Sequence, residues 1–108
     1  PLRDRFGVVV EGESMNEVYP PGTILECVSF LGGVEIASGR RVIVERVRVS
    51  GEREVTVKEL YRDSDGVEWL VPRSTNPAFQ SPVRADQQEA DIVEVRVLGV
   101  VVGSYRPE

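Results

Sequence analysis

Histidine is absent from the 108 residues, and cysteine, lysine and methionine each occur once. Without histidine, neither a Ser-His nor a Cys-His couple can be built. The single cysteine, Cys27, forms no internal disulfide, and alone it cannot complete the usual tetrahedral zinc shell. It reads as a small buried hydrophobe in a reducing compartment. No spaced loop of the Asp-x-Asp-x-Asp-Gly kind occurs, so no metal and no other cofactor is expected. Apolar runs are short. Leu98-Gly99-Val100-Val101-Val102 falls far below the roughly 20 residues that span a bilayer. No apolar stretch follows a basic start, so the expectation is a soluble, cytoplasmic domain with no membrane partner. A basic face is missing too: the formal charge of −5 argues against the chain gripping nucleic-acid phosphates itself. An enzyme of this composition must take its base from a carboxylate or from lysine.

What is present suits one globular domain spanning residues 1–108. Hydrophobic residues make up 41% and charged residues 29%, well away from the balance of disordered chains. The chain starts Pro1-Leu2-Arg3 without an initiator Met, as a segment entered midway would. Valine-rich alternating stretches recur between Gly, Pro, Asp and Ser clusters, the pattern of an antiparallel β protein, and no long window holds a helical period. Strands are expected over Phe6–Glu11, Thr23–Val28, Arg40–Val49, Glu54–Arg62, Val67–Val71 and Ile92–Val102. Ser50-Gly51-Glu52-Arg53 and Asp65-Gly66 read as hairpin turns, and Arg73–Gln88 as a long loop. The last strand alternates from Val93 to Val97 and then turns apolar on both faces. Such a stretch needs a partner inside the fold or across a subunit boundary.

Two positions carry chemistry. Gly12-Glu13-Ser14-Met15 follows the first strand, and a glycine beside a serine at a strand end can expose the hydroxyl and aim backbone N–H groups at one point. A serine in that setting is more often an ordinary turn residue. Lys58 is the only lysine among thirteen basic residues and stands mid-strand in Val55-Thr56-Val57-Lys58-Glu59-Leu60. By strand parity it shares a face with Thr56 and Leu60, while Val55 and Val57 face the other way. Arginine keeps its proton, whereas a lysine withdrawn from water can lose it and act as a base. The alternative is a solvent-facing lysine on an edge strand.

Taken in order, Gly12-Glu13-Ser14-Met15, Tyr19-Pro20-Pro21-Gly22, Val55-Thr56-Val57-Lys58-Glu59-Leu60, Leu70 with Asn76-Pro77-Ala78-Phe79, and Val97-Leu98-Gly99-Val100-Val101 resemble the motifs of the LexA-like autopeptidases. That family includes LexA, phage repressors and the UmuD mutagenesis protein. The resemblance implies a mostly β, LexA-like peptidase fold of antiparallel strands with long loops. It implies a serine-lysine dyad, with Ser14 as nucleophile, Lys58 as general base, and the backbone at Ser14 and Met15 as oxyanion support. Family members cleave their own chain at an Ala-Gly or Cys-Gly bond upstream of the serine. This separates them from an N-terminal helix-turn-helix and relieves repression, typically once activated RecA filament binds during the SOS response.

The implied partners are therefore a second copy of the chain, DNA through a helix-turn-helix domain outside this sequence, and RecA. Leu98, Val100, Val102 and Tyr105 are the expected dimer interface. Thr23 and Asn16-Glu17 depart from the family pattern, which often has Asp after the proline turn and Pro soon after Ser-Met. No Ala-Gly or Cys-Gly precedes Ser14, so the scissile bond is not in this chain. The same fold serving only for dimerisation, and a signal-peptidase-like or UmuD-like serine-lysine peptidase, are the alternative readings.

Overall fold

The computed structural model describes residues 5–12, 14–29, 36–85 and 91–107. Among the described residues there are seven strands: β1 (Arg5–Val9), β2 (Ile24–Ser29), β3 (Arg41–Arg48), β4 (Arg53–Arg62), β5 (Glu68–Val71), β6 (Val83–Arg84) and β7 (Ile92–Tyr105). They form one sheet in the order β1-β2-β7-β3-β4-β5-β6, with every neighbouring pair antiparallel. No helix among the described residues is long and apolar enough to cross a membrane.

Both expected hairpins form. β3 pairs with β4 from Arg41↔Glu59 to Val47↔Arg53, closed by the Gly51 N–H donating to the Arg48 carbonyl at 2.9 Å. β4 turns into β5 around Asp63. Its carboxylate accepts from Asp65 N–H and Val67 N–H, both at 2.9 Å, and from the Trp69 indole at 3.0 Å. Pro20-Pro21-Gly22 closes by Thr23 N–H donating to the Pro20 carbonyl at 3.1 Å, with Gly22 at φ +92°, a backbone setting that glycine takes without a steric penalty.

The expected strands lie close to the observed ones, with two corrections. β7 runs on to Tyr105, because β2 continues its pairing to Ile24↔Tyr105. Arg73–Gln88 is not all loop: a 3-10 turn covers Pro77–Phe79, capped by the Asn76 side chain, and β6 adds two residues against β5. Two residues carry no periodic signal, and β6 exists only because Trp69 and Leu70 offer it a ladder.

Apolar side chains collect on both sides of the sheet. One cluster holds Leu25, Cys27, Ile43, Val57 and Val101 with Met15 and Tyr19 from the chain after β1. The other holds Val42, Val44, Leu60 and Leu70, with Val95, Val97 and Val100 against it. β7 feeds both. A bulge at Leu98, between the pairs Val44↔Val97 and Ile43↔Gly99, shifts its parity so that Leu98 and Val101 join the first cluster while Val97 and Val100 join the second. The partner of the two-sided apolar stretch is thus inside the fold. β7 is hydrogen-bonded to β3 over Ile92–Val100 and to β2 over Gly99–Tyr105, so both ladders meet at Gly99 and Val100. Leu98 and Val100 are half-buried in the clusters; Val102 and Tyr105 remain exposed.

Candidate functional site

After β1 the chain closes on itself, with Val10 bonded to Thr23 and Gly22, and then makes a turn from Ser14 to Tyr19. Met15 anchors this turn. Its side chain is 1% exposed in the first cluster, and its carbonyl accepts from Val18 and Tyr19 N–H at 3.0 and 2.7 Å. Asn16 pins the outside by exchanging hydrogen bonds with Thr75, accepting its N–H at 2.9 Å and donating to its hydroxyl at 3.0 Å. Ser14 is left at the head of the turn, half-buried.

Lys58 reaches it from β4. Its Nζ donates to Ser14 Oγ at 3.1 Å across 44 residues of chain. Strand parity places the lysine as the sequence implied, with Leu60 in the second cluster and Val57 in the first. Lys58 is 7% exposed, so the solvent-facing alternative does not hold. Burial lowers its pKa from 10.5 to about 8, helped by the positive charge of Arg46 and opposed by Glu54. At pH 7 the neutral fraction then rises from a few parts in ten thousand to about a tenth.

Two cavities flank the pair. Ser14 opens into a groove of about 290 Å³ between Val8–Gly12 and Val55–Val57. Behind Lys58 a second cavity of about 20 Å³, room for about one water, is bounded by Val44, Arg46, Thr56, Leu70 and Val95. Thr56 Oγ1 is buried there with no hydrogen-bond partner among the described residues. The geometry therefore sets a hydroxyl against an amine of lowered basicity, beside an open groove and in front of a small cavity where Arg46 and Thr56 join apolar side chains. Such a pair can transfer a proton and expose an activated alkoxide to an extended chain.

Ser14 and Lys58, the two positions with candidate chemistry in the sequence, meet. Strand parity put Thr56 on the Lys58 face but gave it no role, and Arg46, Asn16 and Arg73 were given none. Arg46 needed the β3–β4 register, where it stands opposite Glu54. Asn16 and Arg73 lie in irregular segments and had no periodic signal. Met15 also lines the groove, so both residues expected to give backbone support border it. Cys27 is buried, and burial pushes its thiol pKa up, as for a structural cysteine.

Searches of curated proteins and of solved structures found no match to the chain. A family model does match, that of Peptidase S24-like proteins, over residues 2–102. The match spans nearly the whole chain and agrees with the LexA-like motifs and the mostly antiparallel sheet, so the chain belongs to the Peptidase S24-like family.

Proposed function

We propose that this domain is the C-terminal regulatory and dimerisation part of a LexA-like or prophage-type repressor that cuts its own chain with Ser14 and Lys58. The observation that carries this reading is the 3.1 Å contact between a groove-facing hydroxyl and a buried lysine whose pKa is lowered to about 8. With the amine charged, Lys58 donates to Ser14. Once it is neutral the hydrogen bond reverses, and the hydroxyl proton passes to Nζ as Oγ attacks the scissile carbonyl. The backbone N–H groups of Ser14 and Met15 support the oxyanion. Collapse of the tetrahedral intermediate breaks the C–N bond, the leaving amine takes the proton from Lys58, and water releases the acyl group with Lys58 again as base. The groove between Val8–Gly12 and Val55–Val57 suits an extended stretch of the parent chain. DNA contact, in this reading, belongs to a helix-turn-helix domain elsewhere in the parent, and RecA filament is the inducing partner.

The test is self-cleavage of the parent protein between pH 6 and pH 10. The rate is expected to climb through about pH 8 and level off above it. Lys58→Arg and Ser14→Ala are expected to abolish cleavage while remaining folded. A pH-independent rate, or an arginine variant as fast as wild type, removes the lysine from the mechanism and leaves the non-cleaving dimerisation module.

A further inference from the structure

Ser14 and Lys58 arrive from unlinked parts of the fold. Lys58 belongs to a ladder shared with β3, whereas Ser14 sits in a turn outside every strand. A contact of 3.1 Å between them needs something that grips both sides. β5 pairs with β4 only from Glu59 to Arg62, so the ladder on that edge stops one residue short of Lys58. The chain leaving β5 continues past this point to Arg73.

Arg73 touches both halves. Its N–H donates to the Ser14 carbonyl at 2.9 Å, and its carbonyl accepts the Glu17 N–H at 3.0 Å, so the turn docks on this segment by a two-bond rung. Its guanidinium forks onto the Glu59 carboxylate, Nε to Oε2 at 2.9 Å and Nη2 to Oε1 at 3.2 Å. Glu59 follows Lys58 directly in β4 and keeps its side chain only 16% exposed. Planar two-point pairing fixes orientation as well as distance, which a single contact does not. An ion pair with an exposed partner adds little to overall stability, so its effect is local. We propose that Arg73 is a positioning residue whose forked pair with Glu59 sets the approach of Ser14 to Lys58.

This inference rests on the peptidase reading of the pair, and its test separates the two. Lys58 is the only lysine, so one ¹³Cε resonance follows its titration in this chain. Among the described residues, Arg46 of β3, Glu54 of β4 and Arg84 of β6 are the charged groups around it, and β7 presents Val95 and Ile92 to the same cavity. Arg73→Gln, Glu59→Gln and the swapped pair E59R/R73E are titrated, and Ser14 is labelled with a fluorophosphonate. In that labelling the Oγ–P bond forms, fluoride leaves, and the proton goes to Lys58.

A loosened turn admits water to Lys58, so both single variants are expected to raise its midpoint from about 8 toward 10.5. Both are also expected to slow labelling about tenfold, and the swapped pair to recover both readouts. Pure charge effects run otherwise: losing Arg73 would raise the midpoint and losing Glu59 would lower it. A midpoint that stays put, moves in opposite directions, or is not recovered by the swap overturns the proposal. Should Arg73→Gln fail to fold, Arg73→Met keeps the apolar stem without the fork, adds no second lysine, and takes its place. A wild-type chain that never labels sinks the nucleophile, while the titration still decides the clamp.

Discussion

Lys58 is held where its charge is unfavourable, and stability must register that. Its pKa falls from 10.5 to about 8 on folding, mainly through burial. Below about pH 8 the folded and unfolded chains both carry the proton, and the full cost is present. Between pH 8 and 10.5 the unfolded chain binds more protons than the folded one, so stability rises with pH; above that window the cost is gone. Lys58→Met keeps a chain of similar length without the charge. It is expected to stabilise the domain at pH 7, by at most about 3 kcal/mol, with the gain vanishing above pH 10.5. Thermal melts across that range check it, and no gain at pH 7 would mean that the amine is still well solvated.

The central strand β7 is where a small change in one element costs most. Gly99 lies beside the bulge, and an added Cβ would come within 2.6 Å of the Val28 carbonyl oxygen and 3.0 Å of the Phe6 ring. Phe6 could turn aside. The carbonyl belongs to β2, which is paired to β1 and β7, and cannot retreat without breaking a ladder. Gly99→Ala is expected to destabilise by about 2 kcal/mol, read as a lower denaturant midpoint. An alanine variant as stable as wild type would mean that β2 and β7 are free to separate there. The strand itself was legible in its valines, but the bulge was not, since an extra residue in one strand shows only against its neighbours.

For the molecule as a whole, the expected two-fold contact at the end of β7 has exposed side chains to draw on. Val102 and Tyr105 stay 48% and 53% exposed toward the end of that strand, while Leu98 and Val100 are taken up by the core. A repressor reading a palindromic site needs two-fold symmetry, and an exposed aromatic and an exposed valine on one strand suit such a contact. Sedimentation at high micromolar concentration is expected to give twice the chain mass, and Tyr105→Arg to give a monomer with unchanged folding. A strictly monomeric wild type at that concentration removes this surface from the dimer.

The sequence by itself determined the β class and the two hairpins from local information, and through its motif resemblance it pointed to Ser14 and Lys58. Strand alternation has a period of two, turns have their own residues, and the absence of histidine beside a lone lysine leaves few bases to choose from. Parity alone placed Lys58 between apolar faces. Only the tertiary structure decided that this lysine meets Ser14, since a hydrogen bond across 44 residues depends on how β4, the Met15 anchor and the Arg73 segment pack together. It also decided that β7 is central. A stretch apolar on both faces is equally suited to a core strand and to a subunit boundary, and the choice follows from the burial available once β2 and β3 have closed around it.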